Sequence, residues 1–292
     1  MNRLKLSSII SPPVQGDEQF FARKVRAKEF NGLMDPIIGF DHFELTTDTF
    51  GPHPHAGMSA LSYVFEDSVP YHSVDSLGND VMVTPGSLLW TWAGSGVVHT
   101  EFPVPEGSSV KGLQLFVNIP AHKKHNPPQS IFIGQSQMPQ LNSEGLSVKV
   151  ICGNTGGVKN EVHTPDPLTM LHVSLAQGKE FTHVLPMGWS ATVYVVDGLL
   201  DLTTSEGTGE LAGGMVQSMS FSGSDEALTF TGASHSQLLL ISGPPVAEQI
   251  FSHGAMAMES QESLNAALAD YSNGKMGFVE IKDGIRQVIL PV

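Results

Sequence analysis

Apolar and polar positions along the chain alternate with a period of two in short runs, the pattern of half-buried strands. From Gly51 the alternation places His53, His55, Gly57, Ser59, Leu61, Tyr63 and Phe65 on one face and Met58, Ala60, Ser62 and Val64 on the other. Val81-Met82-Val83, Leu88 to Trp92 with both tryptophans on one face, Val97 to Glu101, and Leu113 to Ile119 predict further strands. Asp75 to Asn79, Pro85-Gly86 and Gly94-Ser95-Gly96 are the turn signals between them. Upstream, the apolar stretch within Asp35 to Phe43 predicts a buried strand, and Phe20 to Val25 an edge element wrapping a larger body. Short strands joined by tight turns predict a small β-barrel.

The second half repeats the first. Tyr194-Val195-Val196-Asp197-Gly198 matches Tyr63-Val64-Phe65-Glu66-Asp67, and Leu238 to Ser242 takes the place of Leu113 to Val117. The offset maps His53 and His55 onto Val184 and Pro186, so His183 is expected on the wrong face and the second half to be structural and metal-free. The proline-bearing stretch 121–146 is expected to connect the halves, with His122 and His125 as solvated loop residues. Ser260 to Tyr271 predicts the one clear helix, capped by Ser260, with a Leu264, Ala267, Leu268, Tyr271 stripe to pack on a barrel.

Composition narrows the function class. A net charge of −14 argues against a surface built for nucleic-acid phosphates or an anionic membrane, and favours a protein over DNA as any macromolecular partner. The one cysteine, Cys152, sits in an apolar run and is expected to be a buried, inert thiol. No run approaches membrane-spanning length, and Ile9-Ile10 is too short for a signal-peptide core, so a cytoplasmic location is expected.

The candidate chemistry lies in His53-Pro54-His55 and His99-Thr100-Glu101. Each is a pair of potential ligands two residues apart, which a strand presents on one face. Three imidazoles and one carboxylate suit a borderline divalent ion such as Fe, Mn, Co, Ni, Cu or Zn. Leu61, Tyr63, Phe65 and Val97 are expected to line the pocket around it, and Asp41, His42, Ser59 or Gln114 to hold the histidines' second ring nitrogens. His72, one hairpin away, is expected at the surface.

Asp35-Pro36, Phe40-Asp41-His42-Phe43, His53-Pro54-His55, Pro85-Gly86 with Trp90, Ala93 to Glu101, Gly112 to Asn118 and the tail Ala266 to Tyr271 with Gly274 and Gly277 together resemble the pirin family of two-domain cupins. The resemblance implies a mainly β fold of two tandem cupin, jelly-roll-like barrels with a short C-terminal helix. It implies a metal-binding barrel over 1–125, a linker with strand exchange over 126–160, and a metal-free barrel over 161–292 carrying the helix 260–271. It also implies one divalent metal, Fe(II) first, held by His53, His55, His99 and Glu101; as the one carboxylate of the set, Glu101 is also expected to accept a substrate proton. Family members are associated with quercetin 2,3-dioxygenase activity, which implies a flavonol or enediol-like substrate and O₂. Others are associated with regulation through a protein partner, which implies a structural or redox-sensing metal instead. Ala56, Ser59 and Ser95 stand where the family usually has two arginines and a glutamate, which puts an anionic substrate, and quercetin itself, in doubt. They also leave open a cupin that has lost activity.

Overall fold

Glycine turns and period-two alternation close the chain into two eight-stranded jelly rolls. The computed structural model describes residues 4–291 other than 221, 222, 224, 283 and 284. The first roll comprises β1 (Ile37–Leu45), β2 (His53–His55), β3 (Met58–Val64), β4 (Tyr71–Asp75), β5 (Asp80–Val83), β6 (Leu88–Trp92), β7 (Val97–Pro103) and β8 (Val110–Asn118). One sheet runs β6-β3-β8-β1, extended beside β6 by Gln129–Ile133 and beside β1 by Phe20–Arg26 and Val14–Gly16; the other runs β2-β7-β4-β5. Interleaving of early and late strands in both sheets is the double Greek key of a jelly roll.

The second roll repeats this order. Its strands are β9 (Thr169–Leu175), β10 (Glu180–Leu185), β11 (Ser190–Asp197), β12 (Leu199–Thr204), β13 (Gly207–Ala212), β14 (Val216–Ser220), β15 (Glu226–Gly232) and β16 (Ser236–Gly243). They form β14-β11-β16-β9, flanked by Lys5–Leu6 on one side and by Leu146–Cys152 and Gln140–Ser143 on the other, and β10-β15-β12-β13. Register makes the duplication residue-specific: Tyr63 opposes Leu113 as Tyr194 opposes Leu239. Leu113 therefore corresponds to Leu239, one position beyond the sequence match.

Segment assignment differs from the simple halves read off the sequence. Val14–Lys24, Ile37–Gln135 and Val246–Val292 form one compact unit, while the N-terminal segment up to Pro13, Val25–Pro36 and Ser136–Pro245 form the other. The stretch 126–160 supplies Gln129–Ile133 to the first roll's sheet and two strands to the second's. The helix, α1 (Gln261–Ser272), starts where expected, with Ser260 accepting from the Ser263 N–H at 3.0 Å. Its Leu264, Ala267, Leu268 and Tyr271 pack with Ala56, Val74 and Val98 of the first roll, not the second.

Between β2 and β3 the chain crosses from one sheet to the other, and Gly57 makes the crossing. It sits at φ +68°, where a Cβ would lie 2.2 Å from the Ala257 carbonyl oxygen. Lys124, with no exposed surface, donates from Nζ to the carbonyls of Gly57 and Ala257 and to Asn118 Oδ1 at 2.6–2.7 Å. Three acceptors match the three donors of an ammonium. Burial lowers its pKa to about 8, which leaves it charged at neutral pH.

In the second roll the inward positions of β10 are Phe181, His183 and Leu185, facing Leu228 and Phe230 of β15 within a continuous apolar core. The structure thus corrects the sequence register: His183 is buried and Val184 is 53% exposed. Thr155 Oγ1 lies 3.0 Å from His183 Nδ1, and burial lowers the imidazole's pKa to about 4. Cys152 is buried as expected, its thiol pushed up to about 12 by burial.

Two outcomes follow for stability. Lys124→Met leaves three buried acceptors unpaired and is expected to cost about 3 kcal/mol, read as a lower urea midpoint at unchanged slope. For His183 the unfolded chain takes up a proton near pH 6.5 and the folded state only near 4. Stability is therefore complete above 6.5 and falls by up to about 3 kcal/mol as pH drops through 4. His183→Leu is expected to remove that loss, measured as the wild-type minus variant difference in urea unfolding of the Trp189 fluorescence at pH 7 and pH 4.5.

Candidate metal centre

The pairing of β2 with β7 builds the centre. His55 opposes Val97 and His53 opposes His99, so alternation carries His53, His55, His99 and Glu101 to the interior face of one small sheet. Nε2 of His99 lies 2.9 Å from Nε2 of His55 and 3.0 Å from Nε2 of His53. Nitrogens roughly 2.0–2.1 Å from a common ion and at right angles about it would stand about 3 Å apart. The three histidines thus form a group able to hold a metal ion, their ligand atoms all within 4.8 Å of one another.

Electrostatics of the site agree with that geometry. Burial first, and then the neighbouring His53, lowers the His55 pKa to about 3; burial and both neighbouring imidazoles hold His99 well below its usual range. Neutral imidazoles with converging lone pairs are suited to holding a cation. The His53 Nδ1–H donates to the Gly51 carbonyl at 2.9 Å, which selects the tautomer with its lone pair on Nε2. Nδ1 of His99 has no hydrogen-bond partner among the described residues.

Glu101 stands beside this group, with Oε1 4.0 Å from His99 Nδ1. Ser62 Oγ donates to that oxygen at 3.0 Å and Tyr71 Oη at 3.1 Å. Burial raises the Glu101 pKa above the usual carboxylate range. Ser62 also lies 2.6 Å from Gln114 Oε1, joining the carboxylate to the opposite sheet.

Above the imidazoles lies a cavity of about 190 Å³, lined by Phe20, Phe43, Leu45, Phe50, Phe116, Asp41 and Gln114, with His53, His55 and Glu101 at its base. Leu61, Tyr63, Phe65 and Val97, the expected walls, are not among its lining residues. For Leu61 and Tyr63 the crossing at Gly57 is the cause. It reverses the parity of β3, so Ser62 faces the site while Leu61 and Tyr63 occupy the opposite face of the sheet. Ser59, on that opposite face, accepts from Trp90 Nε1 at 3.0 Å. Phe65 packs edge-on against Tyr63 and His42, and Val97 is buried beside His55. His72 pairs with Asp80, and His125 is a largely exposed loop residue bonded to Glu259 at 2.9 Å.

Asp48 is the residue that sequence reasoning missed. It accepts from the Gly51 N–H at 3.0 Å, from Thr100 Oγ1 at 3.2 Å and from Arg286 Nη2 at 2.8 Å. It thereby fixes the loop whose Gly51 carbonyl orients His53. The Arg286 guanidinium also lies 3.1 Å from the centre of the Phe102 ring. Asp48 lies in the polar run Thr46-Thr47-Asp48-Thr49, which has no periodicity to single it out.

The Pirin family model matches residues 19–117, and the model of the pirin C-terminal cupin domain matches residues 170–277. A pirin-like protein of Arabidopsis thaliana is 31% identical, over 86% of this chain and 92% of its own length. The fold is similar to that of a quercetin 2,3-dioxygenase from Acinetobacter baumannii, with TM-score 0.83 at 23% identity, covering 94% of this chain and 99% of that one. It is also similar to a bacterial pirin from Escherichia coli solved in complex with nickel(II), with TM-score 0.60 at 18% identity, covering 83% of this chain and all of that one. The strand order, its internal repetition and these matches agree: the chain belongs to the pirin family, and the two jelly rolls are its two cupin domains.

Proposed function

We propose that this chain is an Fe(II)-dependent dioxygenase of quercetinase type, acting on an enediol-like or flavonol-like small molecule with O₂. The observation that carries the reading is the convergence of three imidazoles, with Nε2 of His99 2.9 Å from that of His55 and 3.0 Å from that of His53, where His53 and His55 line an apolar cavity. His53, His55 and His99 would hold the ion, with Glu101 as a fourth ligand or as the base beside it. A bound ion would polarise a substrate oxygen and bring substrate and O₂ into one coordination sphere.

The chain's own residues have distinct tasks in this scheme. Glu101, held at Oε1 by Ser62 and Tyr71, takes the proton from the substrate hydroxyl. Phe43, Phe50 and Phe116 exclude water and flank a flat ligand. Asp48 and Gly51 keep His53 in the productive tautomer.

A regulatory reading has one observation in its favour. Phe278, Ile281 and Ile289 are 41–49% exposed on the C-terminal hairpin, and Arg286 of that hairpin binds Asp48 beside the site. An ion changing oxidation state would alter charge next to that tether, and the hairpin would offer the cross-strand pair Phe278 and Ile289 to a protein partner.

Metal analysis of the purified chain is expected to give one ion per molecule, and His55→Ala to lose it. With Fe(II) loaded and flavonols or smaller enediols supplied, O₂ uptake is expected in the wild type and not in His55→Ala. Glu101→Gln is expected to lower uptake about 100-fold while retaining metal. Asp48→Ala is expected to weaken metal binding about tenfold in a chelator competition. A metal-loaded protein that consumes no O₂ with any such compound, yet captures a partner only in one oxidation state, would favour the regulatory reading.

A further inference from the structure

We infer that Arg286, on the C-terminal hairpin, is a positioning residue for the metal centre and acts on His53 through Asp48; this rests on the metal-binding part of the reading above, not on the reaction assigned to it. Alternation along β7 puts His99 and Glu101 on the inner face of the small sheet and Val98, Thr100 and Phe102 on the outer one. The hairpin, Phe278–Lys282 paired with Ile285–Ile289, packs on that outer face. Val279 and Val288 cluster with Val98, and the Arg286 guanidinium lies over the Phe102 ring. Arg286 Nη2 donates to Asp48 Oδ2 at 2.8 Å, and the Thr100 hydroxyl donates to the same oxygen at 3.2 Å. Asp48 Oδ1 accepts from the Gly51 N–H at 3.0 Å, and the Gly51 carbonyl accepts from His53 Nδ1 at 2.9 Å. Hydrogen bonds thus run without a break from the hairpin to a candidate ligand.

The cation matters because of what it holds still. Gly51 sits at φ +56° with open space where a Cβ would stand, so its bond to Asp48 restrains its backbone. A charge-assisted bond is about twice as strong as a neutral one, which makes Arg286 the firmest of the donors on that carboxylate. The two side chains are 20% and 16% exposed, so salt screens the pair weakly. Without Arg286 the carboxylate and Gly51 can turn, releasing His53 Nδ1 and admitting the tautomer that aims an N–H, not a lone pair, at the other imidazoles. The hairpin has other anchors: Ser76 Oγ donates to the Met276 carbonyl at 2.6 Å and accepts from the Val98 N–H at 3.0 Å. Charge alone acts in the opposite direction, since a nearby cation repels a divalent ion and its removal would tighten metal binding.

Co(II) binding to the whole chain, followed by chelator competition and by ligand-field absorption, separates the two signs. Arg286→Gln is expected to weaken binding about fivefold and to alter the absorption of the saturated site, whereas Arg286→Lys, which keeps a cation opposite Asp48, stays within about twofold of wild type. Asp48→Asn combined with Arg286→Gln is expected to lose no more affinity than Asp48→Asn alone. Lys275→Gln removes a cation from the same tail, at its ion pair with Asp270, and is expected to change nothing. Coupling is reciprocal, so Co(II) is expected to slow amide exchange in both hairpin strands of the wild type at least about threefold, a readout that stands even where Arg286→Gln fails to fold. Binding by Arg286→Gln as tight as wild type or tighter, additive losses in the double variant, an equal loss in Lys275→Gln, or hairpin exchange indifferent to Co(II) overturns the inference. A wild-type chain that takes up no Co(II) at its histidines overturns the metal centre and the inference with it. Absence of O₂ uptake beside the expected Co(II) pattern removes only the dioxygenase reading.

Discussion

A three-residue antiparallel pairing, Val97 to His99 against His53 to His55, carries the site. Register decides everything here, because a slip by one residue would turn every ligand to the other side of the sheet. The pairing is short, so it relies on what surrounds it. Lys124 secures the crossing at Gly57 just beyond β2, and Asp48 secures the loop just before it. The strand is thus pinned at both ends, by a buried ammonium and a half-buried carboxylate with their bonding capacity used, which is how a few residues hold three rings in one arrangement.

Holding them has an electrostatic cost. Burial keeps His55 and His99 neutral, against the usual behaviour of an imidazole in water. An ion at their meeting point would offset this cost, and the apolar cavity above would strengthen its field on whatever enters.

Duplication explains why one fold contains two chemically unlike interiors. Both rolls have the same strand order, but the inward positions of β10 and β15 are Phe181, Leu185, Leu228 and Phe230 around a single His183. Apolar side chains there make a packed core. In the first roll the equivalent small sheet carries His53, His55, His99 and Glu101 at its inward positions instead, and part of the first unit's stability comes from α1 and its neighbours packed on the sheet's outer face.

The sequence alone determined the strand-and-turn character, the internal repeat, the family, the helix with its Ser260 cap, and the two pairs of candidate ligands, because each depends on local spacing. Residues two apart on a strand share a face wherever that strand goes. What only the tertiary structure decided was which residues face the ligands across the barrel. Alternation counted through Gly57 put Leu61 and Tyr63 on the site's face, but a change of sheet resets parity, and nothing local to residues 56–58 announces it. The same holds for Asp48, Tyr71 and Arg286, whose bonds span 30 to 238 residues of sequence. Contacts of that range are set by how sheets close on one another, and a linear pattern holds no record of them.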